Sequence, residues 1–344
     1  MKKILFSVVG VVLAVLIVSF DVSALTVAPT KVEIKGNPGE TVTAEFELKN
    51  EQKGAITFYP SYENFEANGE EGTPNFVPGD NGLAAWMRTD KESITLEPGK
   101  YIKMPFTVTI PKDAEPGGYF AAIFWGTQPP ASSGETAVSI GAKTGILVLL
   151  TVNGEVREGG NLLGFGTKDD ARFFNSLPVT FAYRFQNGGG DRIKPLGDVV
   201  IKNMLWFTKT KFSANKNDGN VLPGSVRRFE ATWEGKKVVE SGEEALASDG
   251  AKVESNFVGR FFETVSYQWK NFAMGMYIAN LDLAFGAEGK TVSDSFVFFV
   301  LPWQLMIVLI VILLVAFTVL RVFVRKYNKW IIAQATGGNR RLRK

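Results

Sequence analysis

The sequence predicts an all-β fold, two tandem immunoglobulin-like β-sandwiches followed by a single transmembrane helix. Three observations predict it. Segments that alternate apolar and polar residues recur between Pro- and Gly-rich turns, the pattern of half-buried strands. One order of motifs occurs twice along the chain. An uncharged apolar run, followed by a basic tail, closes the 344 residues.

The N-terminus reads as a signal peptide, residues 1–24. Lys2 and Lys3 precede an apolar run to Phe20, and Val22-x-Ala24 supplies a site for cleavage before Leu25. An uncleaved anchor is the alternative. The first sandwich is assigned to residues 25–156. In "TVTAEFELKN", Val42, Ala44, Phe46 and Leu48 share one face, and Asn37-Pro38-Gly39 supplies the turn before them. In "YIKMPFTVTIP", Ile102, Met104, Phe106, Val108 and Ile110 alternate with polar residues. Pro105 lacks a ladder donor, which predicts an edge position or a bulge. "YFAAIFWG" and "TGILVLLTVNGEV" are further strands.

The second sandwich is assigned to residues 157–295, with an insertion at 234–274. "LPVTFAYRFQN" repeats the first alternating pattern, with Val179, Phe181, Tyr183 and Phe185 inward. The repeat then becomes explicit. Each half has a strand ending in Asn (Asn50; Asn187), then Pro-Gly and a strand (Pro98-Gly99; Pro223-Gly224). Each closes on Gly-x-Tyr-x-Ala-x-Ile/Leu (Gly117 to Ile123; Gly275 to Leu281). The two halves differ in their long segments, "YENFEANGEEGTPNFVPGDNGLAAWMRTDKESI" before the first Pro-Gly and 234–274 in the second. Long loops on a rigid sandwich commonly carry binding. Phe257, Phe261, Val265 and Trp269 recur at fours and predict a short amphipathic helix, packed on its own sandwich or facing a partner or a membrane.

Residues 300–322 form the predicted transmembrane helix. Counted from Trp303 to Val324 it would be roughly 33 Å long, about one hydrocarbon core. Pro302 suits a first helical turn, and Trp303 suits the membrane interface. The basic tail, residues 323–344, and its flank Arg321, Arg325 and Lys326 belong in the cytoplasm by the positive-inside rule. This places the bulk of a single-pass type I chain outside the plasma membrane. The segment after Leu320 holds eight Lys and Arg and no acid, and the first 24 residues are +1, so residues 25–320 carry −6 of the net +3. An acidic exterior excludes nucleic acid as its ligand, and the tail suits anionic inner-leaflet lipid.

Chemistry is sparsely represented. The chain has no Cys and no His. That removes disulfides, thiol chemistry, zinc ligation by those residues, and any histidine base or triad. Glu70-Glu71, Asp169-Asp170 and Glu243-Glu244 read as solvated acids, "NKNDGN" (Asn215 to Asn220) as a turn rather than a calcium loop, and "GNLLGFG" (Gly160 to Gly166) as no phosphate loop. No catalytic, cofactor or metal residue is assigned. The candidates for partner binding are aromatic: Trp86 in the first long segment, and Phe261, Phe262 and Trp269 in the second.

"NPGETVTAEFELKN", "LEPGKYIKMPFTVTIPKDAEPGGYFAAIFWG" and the stretch from Arg184 to Trp233, with the terminal apolar segment and basic tail, carry a resemblance. In layout the chain resembles bacterial cell-surface proteins of the WxL-interacting kind. That resemblance implies a signal peptide, two immunoglobulin-like domains, one membrane helix and a non-enzymatic binding role. It implies peptidoglycan as the ligand of the first domain and host or partner proteins as ligands of the second. The residues themselves leave three further readings open. One is a structural or chaperone-like subunit that accepts a partner strand on a sandwich edge. Another is a carboxylate-based enzyme. The last is a membrane subunit whose tail docks a cytoplasmic partner.

Overall fold

The computed structural model describes residues 25–129, 143–203, 207–235 and 257–337. The signal-peptide reading, Glu243-Glu244 and most of the 234–274 insertion ahead of its helix lie outside the described residues. By its contacts the chain divides into two compact units. One comprises the chain up to Gly160 with Asn187–Ile193 and Val221–Val226, and the other comprises the remainder.

The first unit builds two sheets. One has the order β1-β3-β8-β6, with β1 Leu25–Ala28, β3 Thr41–Asn50, β6 Met87–Thr89 and β8 Tyr101–Thr109. The other has the order β2-β10-β9-β4-β5, with β2 Lys31–Gly36, β4 Ile56–Asn68, β5 Thr73–Pro78, β9 Gly117–Gly126 and β10 Lys143–Val152. A short β7, Ile94–Leu96, pairs with β4. Both sheets feed one core. Phe46, Met104, Phe106 and Val108 come from one, and Ile123, Trp125, Val148 and Leu150 from the other. The inward positions of β3 and β8 are those the alternation predicts.

Two features differ from the sequence reading, and a third refines it. Pro105 lies in no bulge, since β8 keeps unbroken register to β3, and it stands where β8 is no longer covered by β6. Strand β6 ends opposite Phe106, and beyond it the Pro105 carbonyl accepts the Asp90 N–H at 3.3 Å. The proline's missing donor therefore costs no ladder bond. The long segment before Pro98 is largely ordered as the hairpin β4–β5 and a short helix α1, Gly82–Trp86. Glu70 and Glu71 occupy the hairpin turn. Strand β9 is buried on both faces, because Phe65 and Phe76 of the hairpin meet Phe120 at 5.9 Å and Phe124 at 4.9 Å.

The remaining strands repeat the first arrangement. One sheet has the order β11-β13-β16, with β11 Gly160–Thr167, β13 Val179–Asn187 and β16 Val226–Trp233. The other has the order β12-β18-β17-β14-β15, with β12 Phe173–Phe174, β14 Leu196–Asn203, β15 Thr208–Ser213, β17 Gly275–Phe285 and β18 Lys290–Val300. Strand for strand this matches β1-β3-β8 and β2-β10-β9-β4-β5. A parallel pairing recurs as well, β2 with β10 and β12 with β18. Rings from the two sheets meet at Phe181–Phe298 (5.3 Å), Phe185–Phe285 (5.1 Å) and Trp233–Tyr277 (5.2 Å).

The repeated Asn and Pro-Gly form one device. Asn50 is fully buried. Its amide donates to the carbonyls of Leu96 (2.8 Å) and Gly54 (2.9 Å), and its Oδ1 accepts the Gln52 N–H (2.9 Å). Its backbone pairs with Gly99 and Lys100. Asn187, also fully buried, donates to Val221 (2.9 Å) and Asp191 (2.7 Å) and accepts from Gly189 (2.8 Å). Its backbone pairs with Gly224 and Ser225. The turn between requires a positive φ, +70° at Gly99 and +69° at Gly224, which glycine adopts without strain. The loop at Asn215 is a smaller relative: its amide donates to Gly219 and Pro195, closing a turn.

The terminal helix α3, Trp303–Gly337, runs past the expected end at residue 322 through the basic flank. No Pro or Gly interrupts it before Gly337. Residues Trp303–Ile332 are long and apolar enough to cross a membrane, and beyond the docked first turn, where Leu305 is buried, the side chains are largely exposed.

Asn50→Ala and Asn187→Ala each strand buried carbonyls, and each should lower stability by about 2–3 kcal/mol in denaturant unfolding. A loss below about 0.5 kcal/mol would show that the amides are not essential. Tyr183 gives the opposite expectation. Its ring is buried and stacks on Phe229, and its hydroxyl has no hydrogen-bond partner. Tyr183→Phe should therefore be neutral or stabilising by about 1 kcal/mol. Burial also raises the phenol above its ordinary value of 10. A raised folded-state value contributes stability that is complete below pH 10 and is lost above it. The alkaline decline in melting temperature should be shallower in Tyr183→Phe.

Candidate functional site

Among the sequence-derived candidates, Trp86 ends α1 and is half-buried against the first core, its ring 4.6 Å from Tyr119. Phe261, Phe262 and Trp269 share the helix α2, Phe257–Lys270, in the other unit. Phe261 is half-buried, whereas Phe262 and Trp269 are exposed. Trp303 opens α3, and Arg321, Arg325 and Lys326 lie on its exposed surface.

Helix α2 docks on the start of α3. The Phe261 ring lies 6.4 Å from that of Trp303. Gln268, 1% exposed, does more. Its amide donates to the Gln304 side chain at 2.6 Å and to the Asn175 carbonyl at 3.1 Å. Its Oε1 accepts the Leu305 N–H at 2.9 Å. The first N–H groups of a helix have no partner within the helix. Gln268 supplies one from another segment, just where the chain turns apolar. Sequence reasoning passed over this residue. Its only signal was a polar side chain flanked by Val265 and Trp269 in an otherwise apolar period.

A second feature lies on β11, the edge strand of its sheet. It has eight residues and neither charge nor proline. Phe165 points to the core and stacks on Phe181 at 5.8 Å. Leu163, two residues earlier and so on the same face, is 41% exposed at a largely polar opening between β11 and β18, lined also by Asn161, Leu162, Val292, Ser293 and Asp294. The other edges longer than four residues are blunted in ways that discourage pairing, and the edges β6 and β12 have only three and two residues. Lys209 and Lys211 punctuate β15, Pro74 and Pro78 punctuate β5, and Arg227, Arg228 and Glu230 punctuate β16. Strand β2 carries Lys31, Glu33 and Lys35. The counterpart of β11 in the first unit, β1, has only four residues. Among the described residues, no group of three or more acidic side chains is placed to hold a metal.

No family model and no curated protein matches the chain. Solved structures similar to it include the class 5 fimbriae chaperone CfaA, at 10% identity and a TM-score of 0.36, covering 81% of this chain and 100% of that one. Another is the CsuC–CsuE chaperone–tip adhesion subunit pre-assembly complex from archaic chaperone-usher Csu pili of Acinetobacter baumannii, at 9% identity and a TM-score of 0.33, covering 79% and 98%. The E. coli chaperone DraB is similar at 11% identity and a TM-score of 0.32, covering 81% and 97%.

Gln268→Leu should speed amide exchange across residues 257–270 and at Leu305 by about tenfold, roughly 1.4 kcal/mol of local opening. Exchange mass spectrometry of the full chain in micelles reads it. Unchanged protection would mean that α2 is held by other contacts.

Proposed function

We propose that the chain is a single-pass membrane protein whose bulk lies outside the plasma membrane as two tandem immunoglobulin-like domains. It binds there an extended segment of a surface protein by strand addition to β11, and it performs no chemistry. The observation that carries the binding mode is the unguarded edge. Eight residues without charge or proline present their outer N–H and C=O groups in a sheet whose companions are guarded. In strand addition, main-chain bonds supply affinity and the pockets under alternate side chains supply selection. The opening at Leu163 would receive one side chain of the incoming strand. The preferred segment is therefore extended.

The anchor is supported by composition. Trp303 to Leu320 contains no charge, and Arg321, Arg325, Lys326 and Lys329 follow at once. Leu313, Leu314 and Phe317 are 67%, 60% and 62% exposed, an apolar surface of the length a bilayer would cover. The basic flank orients the chain with its tail at the anionic inner leaflet. The WxL-interacting resemblance agrees with this layout.

The test is a photo-crosslinking residue placed at Asn161 on β11, and at Lys209 on β15 as the guarded control, in the full chain in its own membrane. Adducts with one surface protein are expected at Asn161 and not at Lys209. Leu163→Lys, which guards the edge, should cut the yield about tenfold, a loss of about 1.4 kcal/mol. Equal adducts at both edges, or indifference to Leu163→Lys, would defeat strand addition. Retention of the chain on isolated sacculi without protein adducts would transfer the role to a cell-wall polymer.

A further inference from the structure

Helix α2 has three faces. Phe261, Thr264 and Gln268 turn inward, and Gln268 and Phe261 contact α3. Glu263, Ser266 and Lys270 lie on the far side, exposed. Between them runs a third face on which Val258, Phe262 and Trp269 recur at helical spacing, 55%, 57% and 65% exposed. A soluble helix buries its apolar stripe. Here the stripe is turned away from the contact that holds the helix.

The same end of the unit gathers more of this kind. Phe272 and Met274, both 51% exposed, lead into Gly275, which pairs with Val300 two residues before Pro302. Phe173, 76% exposed, stacks on Phe299 at 5.1 Å on the other side of β18. They therefore adjoin the last residues of β18, three to four residues before Trp303, where the apolar span of α3 begins.

We propose that this collar, the outer stripe of α2 with Phe173, Phe272 and Met274, is seated in the interface of the outer leaflet and takes phospholipid as its partner. The proposal rests on the reading of α3 as a membrane span. What selects lipid is continuity. α2 is bonded to the first turn of α3, so a bilayer that covers Ile307 and the residues beyond it brings its interfacial layer to the level of Phe262 and Trp269. Aromatic side chains are the residues best suited to that layer. The rest of α2 fits as well, with charge on the face away from the stripe. Residues 236–256, which precede α2, are a poorer cover, for they contain five acids and no aromatic residue. A second consequence is mechanical. Two attachments, a span and an interfacial helix, restrain the tilt of the unit where a lone span would leave a free swivel.

The chain has no cysteine, so single-cysteine variants of the full protein carry one label each. Phe262→Cys, Trp269→Cys and Val258→Cys probe the stripe, Glu263→Cys the opposite face, and Leu314→Cys the span. Each is spin-labelled and reconstituted in 3:1 phosphatidylcholine–phosphatidylglycerol vesicles. Collision with oxygen, which concentrates in lipid, is compared with collision with a water-soluble nickel chelate. Oxygen should dominate several-fold at positions 258, 262, 269 and 314, and nickel at 263. Nickel dominance at the stripe with oxygen dominance at 314 would overturn the collar and leave the anchor intact. Exclusion of both reagents at the stripe would overturn it in favour of a protein cover, from residues 236–256 or a second copy. Nickel access at 314 would remove the membrane span, and the collar with it.

Discussion

A buried side-chain amide at the end of a core strand ties together the turns on which each half of the molecule depends. Asn50 and Asn187 reach the same three places: the carbonyl two residues before a Pro-Gly turn, the carbonyl four residues onward, and the N–H two residues onward. Their backbones meanwhile pair with the residues just past the turn. One residue thus sets where the next core strand enters, and so which of its side chains face inward. Register errors in a sandwich exchange core and surface over a whole strand. A polar group at this position contributes specificity that an apolar one of equal size could not, because its bonds are directional and a buried unmet carbonyl is expensive.

The sequence made the fold's period-2 elements readable and left others hidden, for physical reasons. Strands β3, β8 and β13 are half-buried, so their alternation shows. Strand β9 is covered on both faces by core and by the rings of Phe65 and Phe76, and its apolar run says strand without saying which face is inward. The hairpin β4–β5 reads as loop because Gly69, Gly72 and its acids dominate the local composition. The two residues of β12 exist only by pairing with β18 and have no local signature. On α2, Phe261 and Val265 of the residues at fours are half-buried, whereas Trp269 of the same set joins Val258 and Phe262 on the exposed stripe. Period alone could not settle which flank is covered. Gln268 was invisible because its partners, Asn175, Gln304 and Leu305, are distant in sequence.

The distribution of edge chemistry separates what the fold needs from what it leaves available. Charges and prolines on β2, β5, β15 and β16 are what a sandwich requires to stay unassociated. The glycine-rich β11 was set aside in the sequence as a failed phosphate loop. Only the sheet order reveals it as an edge, and only the neighbouring edges make its lack of charge informative. The site and the fold are therefore legible at different levels, residue pattern for one and topology for the other.

Asn187 is followed by Gly188, the neighbour that leaves an asparagine most open to attack by the next backbone nitrogen, whereas Asn50 is followed by Glu51. Conversion of Asn187 to aspartate would replace two donated hydrogen bonds, to Asp191 and Val221, with repulsion between oxygens. While the clamp is closed, the same bonds hold the amide in a fixed pose. Each opening exposes it. The two clamps thus share a geometry and have different chemical lifetimes, and the ageing of the one at Asn187 is governed by how often it opens.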